Sequence, residues 1–121
     1  MKVVVAPACV ALAEPLTAGL VSGSDTVMDV AGRSRAGLMF DYLAVWREAG
    51  VPEADLLKAM TSEAAKLLRV EGERGRLAVG LAADLVAMPA DPLADTESLR
   101  RIDFVMKNGH IVRRGPAVPH R

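Results

Sequence analysis

Phe104-Val105-Met106-Lys107-Asn108-Gly109-His110-Ile111-Val112-Arg113 places two apolar runs on either side of an Asn-Gly pair. That pair is a strong hairpin signal, because a two-residue type I′ turn needs positive φ at both central positions. The stretch predicts two antiparallel strands, and Pro116 and Pro119 end the second one, leaving a tail. Upstream, Ala83-Asp84-Leu85-Val86-Ala87-Met88, closed by Pro89, reads as a third strand, and Leu77-Ala78-Val79 as a fourth. Asp91-Pro92-Leu93 opens a loop, and Ser98-Leu99-Arg100-Arg101 forms a short turn. Residues 71–76 are charged and contain glycine, which marks the exit from a helical region.

That region begins at Ala36. Leu38, Met39, Tyr42, Leu43, Val45 and Trp46 recur at helical spacing, and Gly50 supplies the stop. Pro52 suits a first helical residue, since its φ is already set for the turn, and Leu56, Leu57 and Met60 follow on one face. Thr61-Ser62 offers side-chain oxygens to cap a third helix, whose apolar stripe is Ala64, Ala65, Leu67 and Leu68. These methionine and leucine stripes are core. Further upstream, Leu20-Val21-Ser22-Gly23 reads as a short buried strand stopping at Ser24-Asp25-Thr26, and a loop runs on to Arg35. The expected class is α/β: three helices joining one strand to a small antiparallel sheet.

Composition narrows the function. The 121 residues are 51% hydrophobic, 25% charged and 3% aromatic, which suits one domain with a modest core. A complete (β/α)₈ barrel needs about 250 residues. Fifteen basic residues balance fifteen acidic ones, and Trp, Tyr and Phe are few, so neither the field nor the stacking surface of a nucleic-acid binder is present. The single Cys9 makes no internal disulfide and reads as a small buried residue. His110 and His120 cannot hold a metal unaided, and His110 beside the turn reads as an exposed strand residue. The apolar run after Lys2 is short for a signal peptide and holds Pro7; lengthened to a membrane span, it takes in Glu14 and Pro15. Val3-Val4-Val5 fits a buried strand better, and the expected location is the cytoplasm, away from membranes.

Three further segments, in order, carry a resemblance. Gly23-Ser24-Asp25-Thr26, then Ala59-Met60-Thr61-Ser62-Glu63-Ala64-Ala65-Lys66-Leu67-Leu68, then Gly80-Leu81-Ala82-Ala83-Asp84-Leu85-Val86 resemble the C-terminal third of the amidohydrolase superfamily. Asp91-Pro92-Leu93-Ala94-Asp95 and Phe104-Val105-Met106-Lys107-Asn108-Gly109 sharpen this toward its imidazolonepropionase-like and Xaa-Pro dipeptidase-like branch. The match spans about Leu20 to Arg113; residues 1–19 match poorly, with prolines where the family has a helix. The resemblance implies the C-terminal piece of a (β/α)₈ metal-dependent hydrolase barrel followed by strands of a small β-sandwich. On that division, 1–19 is an atypical N-terminal segment, 20–70 the last barrel strand and following helices, 71–115 the composite sandwich segment and 116–121 the tail.

The resemblance also assigns roles. Asp25 corresponds to the aspartate ending the eighth strand, which binds metal and takes the proton of the attacking water. Its place at the C-terminal mouth of a strand agrees with where barrel enzymes put their chemistry. From the residues alone, a turn aspartate capping the next segment is the favoured reading, and the metal role rests on the resemblance. Ser24 and Thr26 read as turn residues without a histidine base. Arg33 and Asp29 lie in a loop that would overhang the barrel mouth, as substrate contacts or as a solvated pair. Asp84 suggests a second catalytic carboxylate, but its position at the entrance to a sheet strand favours a structural turn contact. The implied cofactor is a divalent metal, zinc first, in the intact enzyme. A catalytic zinc takes about three protein ligands, and this chain has no His-x-His pair, so alone it carries one ligand and no metal. The expected function is thus the C-terminal portion of a metal-dependent amidohydrolase acting on C–N bonds of cyclic amides, imides or dipeptides, inactive in isolation. The alternative is a non-catalytic remnant or interaction module. The expected partners are a small-molecule substrate in the intact enzyme, and the missing N-terminal barrel segment or a second copy of the chain.

Overall fold

The computed structural model describes residues 21–22 and 30–115. Three α-helices, one 3₁₀ helix and a three-stranded sheet follow one another among them. Ser34 starts helix α1 (Arg35–Glu48): its backbone is extended, and its hydroxyl accepts the Gly37 amide at 2.9 Å. Gly50, at φ 86°, turns the chain out of the helix, as its position in the sequence predicts. Pro52, expected as the first helical residue, serves instead as the N-cap of α2 (Glu53–Met60), so the helix begins one residue later. Its extended ψ of 143° keeps it outside the helix.

Thr61 is the N-cap of α3 (Ser62–Leu67), but its side chain does not cap. The Thr61 hydroxyl donates backward to the Leu57 carbonyl at 2.6 Å, so it ties down the end of α2 instead. Of the expected α3 stripe, only Ala65 is buried; Leu67 and Leu68 are about 70% exposed. The helix is six residues long and the chain leaves it through Arg69 at φ 58°, so those two leucines point away from the core. Leu77-Ala78-Val79 is not a strand either. Gly75 (φ 98°) and Gly80 (φ 87°) bend the chain on both sides of it, and the Leu81 amide closes a turn on the Ala78 carbonyl.

The sheet has the order β1-β2-β3, with β1 at Leu85–Ala87, β2 at Phe104–Lys107 and β3 at His110–Arg114. Both pairings are antiparallel; β1 sets Val86 opposite Val105, and β2 sets Lys107 opposite His110. Asn108 (φ 50°) and Gly109 (φ 76°) make the turn that their residue types require. A register shift between Val105 and Met106 bulges the second ladder. Between β1 and β2 the chain forms a 3₁₀ helix, η1 (Thr96–Arg101), where a shorter turn was expected. The Asp95 carboxylate starts it by accepting the Glu97 amide.

The core lies among helices, not against the sheet. Leu43 of α1, Leu56 of α2 and Leu99 of η1 form the buried cluster, flanked by Phe40, Trp46 and Met60. Val21 and Ser22 belong to no strand among the described residues; the Ser22 amide donates to the Ala59 carbonyl at the end of α2, at 3.1 Å. Leu20 and Gly23, the rest of the expected buried strand, lie outside the described residues. No helix among the described residues is long and apolar enough to cross a membrane.

Candidate functional site

Asp25, with Ser24, Thr26 and Asp29, lies outside the described residues, as do Cys9 and His120. The described structure resumes on the far side of that segment, where Val30 and Arg33 close a turn around Gly32 (φ 75°) that delivers the chain to Ser34 and α1. Arg33 is half-exposed and pairs with Asp41, in the second turn of α1. The loop position that suggests a substrate contact is thus one the helix also anchors.

Asp41 belongs to a wider ionic chain that sequence reading missed. Its other oxygen accepts from Arg100 of η1 at 3.0 Å. Arg100 also donates to Glu97 at 2.6 Å, and its guanidinium lies 5.3 Å from the Phe40 ring centroid. Burial disfavours the Arg100 charge, but the bonds to Glu97 and Asp41 outweigh it and hold the guanidinium pKa above its ordinary value. Arg47 extends the chain to Asp95 at 2.9 Å, Glu97 at 3.6 Å and Glu53 at 3.7 Å. Only the Glu97/Arg100 spacing of three residues is local enough to be legible; Arg33–Asp41 and Arg47–Glu53 cross a helix end, and the pairs of Asp41 and Arg47 with η1 and Asp95 join residues about fifty or sixty positions apart.

Asp84 gathers the second cluster. Its Oδ2 accepts from Lys107 Nζ at 2.6 Å and Arg74 Nη1 at 3.1 Å, and its Oδ1 accepts the Asn108 amide at 2.7 Å. The Lys107 ammonium, then the Asn108 amide, hold its carboxyl below the usual aspartate range, with Arg74 adding to the effect and partial burial opposing it. A carboxylate so placed is ionised and spends its lone pairs on the hairpin turn, as the structural reading of its position anticipates. His110 is exposed beside the same turn.

No three His, Cys, Asp or Glu side chains among the described residues come together as a metal site. The described part therefore does not by itself fit a catalytic zinc, which takes about three protein ligands. Asp41, Asp84, Asp95 and Glu97 instead hold elements together.

A sequence profile described as the amidohydrolase family matches residues 6–113. The fold is shared with a Xaa-Pro dipeptidase carrying methionine in its active site, at 32% identity and a TM-score of 0.62, covering 69% of this chain and 20% of that one. It is shared with a molinate hydrolase at 32% identity and a TM-score of 0.58, covering 60% and 16%. A candidate prolidase from Bifidobacterium longum aligns at 38% identity and a TM-score of 0.53, covering 62% and 20%. No curated protein matches significantly. The chain spans about a fifth of the length of the structures it matches.

Proposed function

The chain belongs to the amidohydrolase family, and from that membership we propose that it is the C-terminal portion of a metal-dependent hydrolase acting on C–N bonds. The observation carrying this reading is the agreement of the profile over residues 6–113 with a fold shared at 32% identity by a Xaa-Pro dipeptidase. In this reading residues 20–70 hold the last barrel strand and its helices, and 71–115 hold strands of the β-sandwich. Asp25 ends that barrel strand and accepts the proton of the attacking water. A bound divalent metal would lower the pKa of that water toward neutrality, and its other ligands come from barrel strands outside this sequence.

Arg33, two residues before α1, takes the place of a substrate contact, and its pairing with Asp41 would hold the loop in position. Among cyclic amides, imides and dipeptides, dipeptides are the favoured substrates, because two of the three relatives described above are a Xaa-Pro dipeptidase and a candidate prolidase. Association with the rest of a barrel, or with a second copy, belongs to the same reading. Ile111 and Val112 of the edge strand β3 are more than half exposed and offer backbone and apolar surface for it.

Catalysis in this reading needs more ligands than the chain supplies, so the isolated chain should turn over no substrate. Assays of the purified chain with zinc or manganese against Xaa-Pro dipeptides, hydantoins and imidazolones are expected to stay at background. Activity that follows the chain through purification and disappears in Asp25→Ala would overturn the requirement for further ligands.

A further inference from the structure

Asn108 is the chain's one asparagine, and the chain has no glutamine, so it carries a single side-chain amide. The next residue is Gly109, which has no Cβ to crowd an approach to that amide. In such a pair the backbone nitrogen of the glycine can attack the asparagine Cγ. The bond from Gly109 N to Cγ forms, the Cγ–Nδ2 bond breaks, and ammonia leaves with the proton of the Gly109 amide. Water then opens the cyclic imide at either carbonyl. One opening gives aspartate; the other gives isoaspartate, in which the backbone runs through the former side chain. Water is the only co-reactant, and Asn108 and Gly109 are both exposed to it.

The fold opposes the first step. The attacking nitrogen donates its hydrogen to the Ala83 carbonyl at 3.1 Å, so the proton it must lose is already held. Turning that nitrogen onto Cγ swings Gly109 off Ala83 and breaks the bond. The backbone amide of Asn108 donates to Asp84 Oδ1 at 2.7 Å, which pins the residue under attack. The same carboxylate lies beside a nitrogen that would become anionic, and like charge raises the cost of that state. Lys107 Nζ, 2.6 Å from Asp84 Oδ2, keeps the carboxylate in place. Ala83 and Asp84 lie just ahead of β1 and outside the hairpin, so both restraints are lost together when the hairpin parts from β1.

We propose that Asn108-Gly109 is a deamidation site held closed by Ala83 and Asp84 and released when the hairpin opens from the residues ahead of β1. The products oppose reclosure. Aspartate puts a second carboxylate on the residue whose backbone amide Asp84 holds. Isoaspartate adds a backbone carbon to the two-residue turn that sets Lys107 opposite His110. Each opening that reacts is therefore retained, and the chain keeps a covalent record of it. This site is independent of the hydrolase reading and of any metal role for Asp25.

The full chain is incubated at mildly alkaline pH, both folded and in guanidinium chloride, and ammonia release is followed with mass spectrometry of the peptide containing Asn108. With no other side-chain amide in the chain, released ammonia reports on Asn108 alone. The folded chain is expected to react about tenfold or more slowly than the unfolded one, since only its open fraction reacts. Asp84→Ala should raise the folded rate several-fold. Low guanidinium concentrations, which need no variant to fold, should raise the native chain's rate in step with hydrogen exchange of the Gly109 amide. Asn108→Asp, the aspartate product, should speed that exchange. Equal rates in the folded and unfolded chain would overturn the proposal, as would an unfolded chain that releases no ammonia. A folded rate that does not follow Gly109 exchange would overturn it too.

Discussion

Asp84 shows how one carboxylate organises a hairpin. It accepts the Asn108 amide inside the turn and the Lys107 ammonium at the end of β2, and holds Arg74 from the connection after α3. Because its folded pKa is lowered, the ionised form stabilises the fold above the unfolded aspartate pKa of about 3.9. That contribution is lost as pH falls through the lower folded value. Asp84→Asn should therefore destabilise the chain most at neutral pH, with the gap to the native chain closing under strong acid. Urea melts between neutral and strongly acid pH check this, with exchange of the Asn108 amide as the local readout; a gap independent of pH would contradict it. The turn contact of Asp84 was legible from its place ahead of a strand. The pairing of Arg33 with Asp41 was not, because their meeting depends on how the loop enters α1. Asp25 lies outside the described residues, and its role rests on resemblance.

At the scale of elements, local chemistry was legible and register with the rest was not. Asn108-Gly109 and Gly50 encode their turns in their own φ angles, so hairpin and helix stop follow from residue type. Leu77-Ala78-Val79 has the composition of a strand, but the glycines at 75 and 80 bend it away from any ladder. Those two glycines differ in a testable way. Both hold a left-handed φ, which costs a non-glycine residue about 1–2 kcal/mol. A Cβ at Gly80 meets nothing within 4 Å, whereas one at Gly75 runs into Ala65 Cβ and lies 3.2 Å from the Thr61 carbonyl. Overpacking of that kind adds about 1–3 kcal/mol. Gly75→Ala should thus lower stability by about 2–5 kcal/mol and Gly80→Ala by about 1–2. Equal losses in denaturant melts would show that the connection does not press on α3.

Over the whole molecule, the buried cluster of Leu43, Leu56 and Leu99 joins α1, α2 and η1, and the ionic chain from Arg33 to Arg47 laces the same elements from outside. Met88, directly after β1, packs against this cluster, and Asp84 ties the hairpin turn to Arg74 in the connection after α3. Helical periodicity placed Leu43 and Leu56 in the core, but the leucines of α3 follow the same period and face outward, since period alone does not say which elements a helix meets. In the proposed function the chain furnishes a hydrolase with its strand-end aspartate. The direct measurement replaces the matching fifth of the Xaa-Pro dipeptidase with residues 21–113 of this chain and assays dipeptide hydrolysis. The native chimera and Ser24→Ala should be active alike, and Asp25→Asn should lose about 10²–10⁴-fold, the scale of a missing general base. A chimera that hydrolyses as well with Asp25→Asn as without it would contradict the account.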